Sequence, residues 1–159
     1  MKSGLPLLSQ GAIMNLCKGV YLAGPMAGFS AVKMKQWRNV AEEYLNQHDI
    51  KTLDPTRRVS YHEQSLNDGG LERNIAQRIF KQDLRDIARC EVLLVDMRNH
   101  PDAKAQGTAA EVMFSHMKNK IIIVFKDSKD KLNPFMMAMA TEVHDSLEDA
   151  LEAVVEYTE

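Results

Sequence analysis

Three side chains in this sequence could do chemistry, and two of them are acids. The helix predicted over residues 71–89 carries an apolar stripe formed by Ile75, Ile79, Phe80, Leu84 and Ile87. Asp83 lies four residues after Ile79 and four before Ile87, so its carboxylate falls on this stripe. Asp86 falls nearer the edge of the stripe. A carboxylate at Asp83 either emerges at the rim and accepts a hydrogen bond from a loop, or has a partner or a task.

Glu111 is the second acid, and its neighbours allow two interpretations. In GTAAE it stands three residues after Thr108, which is the spacing of a Ser/Thr-x-x-Glu capping box at a helix N-terminus. The same helix, predicted from Thr108 to about residue 119, starts over the crevice where a central strand ends. A glutamate in its first turn would be held ionised by the helix N-terminus and could serve as a nucleophile.

Tyr21 lies in the strand predicted for VYLAG, where its side chain points away from those of Val20 and Leu22. Most tyrosines in such positions are core residues with a locally satisfied hydroxyl. Two carboxylates with a phenol between them would also suit cleavage of a glycosidic bond. In that chemistry one carboxylate attacks the anomeric carbon and another acid assists the leaving group. From these residues alone, it is one candidate among several.

The elements that must position these side chains alternate along the chain. Apolar runs predict strands at VYLAG, IKTLDP, EVLLVDM and KIIIVF, with a possible fifth over residues 142–144. Helices are predicted over residues 32–47, 71–89, 108–119 and 146–157, and Asn133 with Pro134 predicts an N-cap and the first residue of another helix. This alternation indicates βαβ crossovers. The predicted fold is therefore an α/β, doubly wound, flavodoxin-like sandwich with a parallel sheet of four or five strands.

The ligand site of such a fold lies beyond the carboxyl ends of the strands, where the strand order reverses. The loops predicted to meet there are residues 24–30 and 98–107. The turn that starts at Gly24 is nearly bare of side chains, so a ligand can come close to its backbone. These features are compatible with a nucleotide-like ligand.

Composition argues against several other classes of protein. The 159 residues are 45% hydrophobic, enough for one domain with a core, and a net charge of −2 without a basic block argues against nucleic-acid binding. No apolar segment has the length of a signal peptide or membrane span, and no histidine has zinc-like spacing, so we expect neither a membrane partner nor a metal site. Cys17 and Cys90 lie far apart, which suits a reducing compartment and a cytoplasmic protein. We expect residues 1–17 to be a poorly ordered extension and residues 18–159 to form the domain.

Four motifs together carry a family resemblance. VYLAGP, DLRDIARCEVLLVDM, GTAAEVMFSH and NPFMMAMATEVHDSLEDALEAV occur in this order over about residues 19–155. In this combination the chain resembles the nucleoside 2-deoxyribosyltransferase family, whose relatives include N-glycosidases that cleave nucleoside 5′-monophosphates. The resemblance implies transfer of 2-deoxyribose from a 2′-deoxynucleoside to a free nucleobase, with no metal or organic cofactor.

The resemblance also implies roles for the three reactive residues. Glu111 matches the nucleophile, which attacks C1′ of the deoxyribose and forms a covalent glycosyl-enzyme. Asp83 matches the carboxylate that contacts the base and assists proton transfer to it. Tyr21 matches the tyrosine that hydrogen-bonds the nucleophile and orients it.

Three further positions match substrate-binding residues of the family. Gly24 matches the small residue of the first loop, and Gly107 matches the glycine just before the catalytic helix. Asn133 matches an asparagine that reaches the sugar in a neighbouring subunit's site. The resemblance thus implies a homo-oligomer with shared active sites.

Two departures from the family pattern leave alternatives open. Ala105 stands where many transferases carry an aspartate that helps hold the base, and Glu91 stands where aspartate is usual. The change at Ala105 is compatible with another base selectivity, with a deoxynucleoside 5′-monophosphate N-glycosidase, or with a nucleotide-binding domain that has lost the reaction. A monophosphate substrate requires phosphate donors, for which Ser30, Arg38 and Arg57 are candidates.

Overall fold

The computed structural model describes residues 19–26, 29–57, 73–100 and 105–159, so the predicted extension over residues 1–17 lies outside the described residues. The described residues form five strands: β1 (Gly19–Ala23), β2 (Lys51–Leu53), β3 (Val92–Asp96), β4 (Ile121–Phe125) and β5 (Glu142–His144). Within the same ranges there are five α-helices: α1 (Ala31–Gln47), α2 (Arg73–Arg89), α3 (Gln106–Met117), α4 (Pro134–Met139) and α5 (Leu147–Thr158).

The strands form one parallel sheet in the order β2-β1-β3-β4-β5. The order reverses between β1 and β3, which pair with Tyr21 opposite Leu93 and Ala23 opposite Val95. This arrangement confirms the predicted doubly wound, flavodoxin-like fold, including its fifth strand. It also places the ends of β1 and β3 side by side at the edge where such folds bind ligands.

Alternation along the strands divides the core into two apolar layers. Val20 and Leu22 pack with buried side chains of α1 and α5 on one face of the sheet. Tyr21 and Ala23 pack on the other face with buried side chains of α2, α3 and α4. Because successive side chains of a strand point to opposite faces, the hydroxyl of Tyr21 is directed into the layer that contains α2 and α3.

Local side-chain bonds fix the starts of three helices. The Ser30 and Ser146 hydroxyls accept hydrogen bonds from backbone N–H groups at the starts of α1 and α5. Asn133 caps α4 through a 2.8 Å bond from the backbone N–H of Phe135, and Pro134 follows as the first helical residue, as predicted.

Four sequence-based expectations are wrong. α3 begins at Gln106 rather than Thr108, because the carbonyl of Ala105 already accepts a helical bond from the backbone N–H of Ala109 at 2.9 Å. Thr108 therefore lies inside the helix, buried, and forms no capping box with Glu111. On α2, Phe80 is 56% exposed although its spacing places it on the apolar stripe, and Asp86, expected near the stripe's edge, is only 3% exposed.

Two features are absent from the part of the chain that the structure describes: a membrane-spanning helix and a group of metal-binding side chains. In the described ranges, no helix combines the length and the apolar character that crossing a bilayer requires. Over the same ranges, no group of three or more His, Cys, Asp or Glu side chains has an arrangement that could hold a metal ion. The predicted cytoplasmic location and the domain boundary at residue 18 stay predictions.

Candidate functional site

A hydrogen bond between a strand and a helix lies at the centre of the candidate site. The Tyr21 hydroxyl donates to Oε1 of Glu111 at 2.7 Å, across 90 residues of sequence. Tyr21 is fully buried in the middle of β1, and Glu111 lies part-buried in the second turn of α3. Both residues sit on elements whose backbones are fixed by regular hydrogen bonding, so their geometry is set by the fold rather than by a loop.

Asp83 is the third member of the cluster. It lies in the middle of α2 and is 8% exposed, on the face that packs against the layer containing Tyr21. Its charge acts on both Tyr21 and Glu111 and raises the pKa of each. The structure therefore brings together the three side chains that the sequence singled out for chemistry.

The electrostatics of the cluster differ from the expectation for a helix N-terminus. Burial raises the pKa of Glu111 from its ordinary value of 4.5 to about 7, against the lowering effects of the Tyr21 hydrogen bond and the Arg38 charge. The prediction that the start of the helix holds this carboxylate ionised is wrong, because Glu111 lies one turn further along α3 and is largely shielded from water there. A carboxyl group with this pKa exists in both protonation states near neutral pH.

The hydroxyl of Tyr21 stays protonated across the ordinary pH range. Burial and the adjacent carboxylates of Glu111 and Asp83 raise its pKa far above the usual value for a phenol. The phenol is consequently a fixed donor to Glu111. It favours the ionised form of that carboxylate and holds one of its oxygens, which leaves the other oxygen for a substrate.

The two glycines that match substrate-binding positions have different surroundings. A Cβ atom at Gly24 would lie 3.1 Å from Cζ2 of Trp37, 3.2 Å from Nη2 of Arg38 and 3.2 Å from Cβ of Asp96. A side chain at Gly24 would thus require these neighbours to shift by a few tenths of an ångström. A Cβ atom at Gly107 would meet no atom of the described residues within 4 Å, apart from its own chain neighbours and its own helix, so these residues leave the space beside the first turn of α3 open.

Asn133 lines a cavity of about 380 Å³ together with Ala105 and Pro25. The same cavity includes the basic side chains of Arg98 and Lys131. Asn133 is exposed, and its side-chain oxygen is already engaged as the cap of α4. Among the described contacts, Asn133 makes none with the Tyr21–Glu111 pair, and its role in a neighbouring subunit's site stays a prediction.

The three candidate phosphate donors have unequal accessibility. Ser30 is exposed at the start of α1. Arg57 donates to the carboxylate of Asp86 at 2.5 Å and to the carbonyl of Asp54 at 2.8 Å, although part of it is exposed. Arg38 is completely buried and donates to backbone carbonyls, so its assignment as a phosphate donor is wrong.

Asp96, which the sequence analysis did not single out, is a further charged residue at the ligand-binding edge. It ends β3, is 1% exposed, and accepts two bonds of 2.9 and 2.8 Å from the guanidinium of Arg98. His100 lies 3.5 Å from the same carboxylate and packs edge-on against Phe29. The sequence signal that could have identified Asp96 is an acidic residue at the carboxyl end of an otherwise apolar strand.

A larger cavity, of about 560 Å³, lies on the opposite side of the sheet. Its wall includes Trp37 of α1, Phe125 at the end of β4 and the ion pair of Lys126 with Asp145. None of the three reactive side chains lines it. The larger cavity is therefore separate from the cluster around Glu111.

Comparisons with known proteins point to one family. A family model described as "Nucleoside 2-deoxyribosyltransferase" matches residues 20–153. The solved structure of a 2-deoxyribosyltransferase from Bacillus psychrosaccharolyticus is similar with a TM-score of 0.67 and 18% identity, over 86% of this chain and 95% of that one. A search of curated proteins finds no match.

Two further solved structures share the fold. The 2-deoxyribosyltransferase from Leishmania mexicana has a TM-score of 0.64 and 18% identity, over 88% of this chain and 98% of its own. The CMP N-glycosidase BcmB from Clostridium botulinum has a TM-score of 0.56 and 13% identity, over 88% and 99%. At these identities the structures support the fold, while the family match rests on the sequence of residues 20–153.

Proposed function

This chain belongs to the nucleoside 2-deoxyribosyltransferase family, and from that premise we propose that it cleaves the N-glycosidic bond of a 2′-deoxynucleoside and transfers the deoxyribose to another nucleobase. The observation that supports this proposal most strongly is the 2.7 Å hydrogen bond from the Tyr21 hydroxyl to Glu111, with Asp83 buried beside the pair. A carboxylate held by a phenol near a second acid is the set of groups that a two-step displacement at an anomeric carbon requires.

In the first step, the ionised carboxylate of Glu111 attacks C1′ as the bond from C1′ to the base nitrogen breaks. The bonding electron pair leaves with the base, which takes up a proton with the help of Asp83. The sugar gains positive charge as that bond breaks, and the adjacent carboxylate stabilises it electrostatically. The product of this step is a glycosyl ester on Glu111 and a free nucleobase.

In the second step, a nitrogen of the acceptor base attacks C1′, and the ester bond to Glu111 breaks. The electron pair of that bond returns to the carboxylate, and the acceptor loses a proton as the new glycosidic bond forms. Two displacements at the same carbon restore the original configuration. Water in place of the acceptor base would give hydrolysis instead of transfer.

The remaining matched positions form the substrate-binding part of the proposal. Gly24 keeps the end of β1 close to its neighbours, and the open space at Gly107 leaves room for the sugar beside the first turn of α3. Asn133 is proposed to contact the sugar bound in a neighbouring subunit. A nucleotide-sized ligand is proposed to bind beyond the carboxyl ends of β1 and β3, which is where folds of this type bind their ligands.

Hydrolysis of a deoxynucleoside 5′-monophosphate is the second candidate function. The specific observation in its favour is the cavity shared by Ala105 and Asn133, which includes the cations Arg98 and Lys131. A phosphate in this cavity would find charged donors, of which Arg98 is already paired with Asp96, and would also meet the carboxylate of Asp130. The similarity in fold to a CMP N-glycosidase adds to this alternative.

One set of incubations separates the candidates. A 2′-deoxynucleoside and its 5′-monophosphate are each supplied with and without an acceptor nucleobase, and free base and exchanged nucleoside are quantified by chromatography. Exchange that requires the acceptor supports transfer, whereas free base from the monophosphate alone supports hydrolysis. Binding of either ligand without any product would reject both activities in favour of a binding domain.

The role of Glu111 is tested in the same assay by Glu111→Gln, which we expect to abolish turnover while the protein stays folded. The matched control is Glu152→Gln, the same chemical change at an exposed glutamate of α5. Mass spectrometry of the quenched wild-type reaction should find one deoxyribosyl adduct on the peptide that contains Glu111. Full activity of Glu111→Gln would refute the glycosyl-enzyme.

We also propose that the chain forms a homo-oligomer with shared sites. The helices α2, α3 and α4, which cover one face of the sheet, expose large apolar side chains: Phe80, Met113, Met117, Phe135 and Met137. A second copy of the chain would bury such surface, and the exposed Asn133 precedes the most exposed of these helices. Sedimentation of the purified protein and of Met117→Lys tests this, with loss of the oligomer expected in the variant.

Sharing of sites is tested by complementation between two inactive variants. Glu111→Gln and Asn133→Ala are co-expressed with different tags, and the mixed oligomer is purified through both. In a mixed dimer, one site combines an intact Glu111 with an intact Asn133, so about half of the wild-type activity is expected to return. Absence of activity in the mixed oligomer, with each variant oligomerising normally, would refute the shared site.

A further inference from the structure

Arg38 is a fully buried cation that the proposed mechanism does not use. It lies on α1, and its guanidinium donates from Nε to the carbonyl of Leu22 at 3.3 Å and from Nη2 to the carbonyl of Gly24 at 3.0 Å. Nη1 donates to the carbonyl of Met34 at 2.5 Å. Nε also lies 3.5 Å from Oδ1 of Asp54, at the end of β2. A charge without access to water is retained in a fold only when such partners satisfy it.

These contacts converge on the carboxyl end of β1. Leu22 directly follows Tyr21, and Gly24 is the first residue after the strand. The guanidinium thus holds the backbone on both sides of Ala23. The nearer of the two carbonyls belongs to Leu22, the residue next to Tyr21, whose phenol donates to Glu111. The packing is tight, because even a methyl group at Gly24 would lie 3.2 Å from Nη2 of Arg38.

The charge of Arg38 also acts on the reactive pair. The titratable and charged groups that act on Glu111 from the described elements are Tyr21 of β1, Asp83 of α2 and Arg38 of α1. Burial and Asp83 raise the pKa of Glu111, whereas the Tyr21 hydrogen bond and Arg38 lower it. Among the described residues, Arg38 is therefore the cation that lowers the pKa of Glu111 against the effect of burial.

We propose that Arg38 is a positioning residue for the Tyr21–Glu111 pair, because its guanidinium fixes the end of β1 and its positive charge keeps the Glu111 carboxylate available as a nucleophile. This inference rests on the proposed role of Glu111. Burial lowers the pKa of Arg38, but the surrounding carboxylates, Asp54 foremost, work against that effect, so the side chain keeps its charge. The residue acts through its neighbours and does not contact the substrate.

The two parts of the proposal are separated by two variants. Arg38→Lys retains the positive charge but loses the forked geometry that reaches the carbonyls of Leu22 and Gly24. Arg38→Met loses both the charge and the bonds. Arg78→Met is the matched control, since Arg78 is exposed on α2 and does not act on Glu111.

The measurement is a pH titration of the Glu111 side-chain carboxyl by NMR of protein labelled with ¹³C-glutamate. The resonance is assigned by its absence in Glu111→Gln. We expect a midpoint near 7 in the wild type, a midpoint about one unit higher in Arg38→Met, and an unchanged midpoint in Arg38→Lys and Arg78→Met. This readout does not depend on turnover, so it succeeds or fails independently of the proposed reaction.

Kinetics then test the positioning part. Arg38→Lys is expected to lower kcat about tenfold with little change in KM, because the end of β1 is no longer fixed and the hydrogen-bonded Tyr21–Glu111 pair moves as a unit away from its productive position. A folded Arg38→Met with the wild-type midpoint would overturn the electrostatic part. If Arg38→Met does not fold, the decision rests on Arg38→Lys alone. A wild-type kcat in Arg38→Lys would overturn the proposal. A lowered kcat, together with a Glu111 titration midpoint that stays near 7, supports it.

Discussion

Replacing Glu111 by glutamine should stabilise the protein at alkaline pH even though it removes the proposed nucleophile. Glutamine has the shape of the neutral acid, can accept the hydrogen bond of the Tyr21 hydroxyl, and carries no charge at any pH. In the wild type, burial and the neighbouring Asp83 raise the pKa of Glu111 from 4.5 to about 7. The native state therefore tolerates the protonated side chain better than the ionised one.

The sign and size of the effect follow from this pKa difference. Between pH 4.5 and 7 the folded chain retains a proton on Glu111 that the unfolded chain has released, so stability falls as the pH rises through this window. Each unit of pKa difference corresponds to about 1.4 kcal/mol, which makes ionised Glu111 cost about 3 kcal/mol of unfolding free energy above pH 7. Below pH 4.5 this cost is absent.

Urea unfolding of the wild type and Glu111→Gln at a series of pH values from 4.5 to 8.5 measures the difference. All other groups titrate in both proteins, so their contributions largely cancel in the difference between the two unfolding free energies. The advantage of Glu111→Gln should grow by about 3 kcal/mol across the series, which corresponds to a midpoint shift on the order of 1.5 M urea. Glu152→Gln, at an exposed position, should follow the wild type throughout.

Parallel stability curves for the wild type and Glu111→Gln would refute this reasoning, because they would mean that Glu111 titrates alike in the folded and unfolded chains. An advantage that grows toward acid pH would also contradict it, since the sign of the linkage would then be reversed.

Four other substitutions, one of them a control, test separate contacts. Tyr21→Phe removes a hydrogen bond that lowers the pKa of Glu111, so the acid limb of the pH–rate profile should move upward and kcat/KM at pH 7 should fall about tenfold or more. Gly24→Ala should cost about 1–3 kcal/mol in urea unfolding because its methyl group meets three neighbours, whereas Gly107→Ala should unfold like the wild type. Asp96→Asn, which weakens two bonds from the neighbouring guanidinium, should cost about 1–3 kcal/mol, and an unchanged thermal midpoint would contradict that.

The fold was largely predictable because its signals are local. Apolar runs marked the first four strands, and the alternation in VYLAG directed Tyr21 to the face opposite Val20 and Leu22, as observed. Asn133 followed by Pro134 marked the start of α4. The alternation of strands and helices predicted βαβ crossovers and therefore a parallel sheet. These features depend on residues that are close together in the sequence, so local sequence patterns predict them.

The features that were missed depend on contacts between distant residues. The spacing of Thr108 and Glu111 fits a capping box, but the carbonyl of Ala105 receives the first helical bond and Thr108 is buried instead. The position of Asp86 gave no sign of its ion pair with Arg57, which lies 29 residues away. The roles of the site residues stay predictions, since proximity alone does not establish a reaction.

The location of Glu111 in the second turn of a continuous helix has a consequence for both chemical steps. Its backbone takes part in regular helical bonding, so its carboxylate can move only by rotation of the side chain. In the proposed reaction, one base would therefore leave and the next would arrive while the backbone beside the sugar stays in place. Between the two proposed steps, the sugar would be anchored to a rigid helix rather than to a loop.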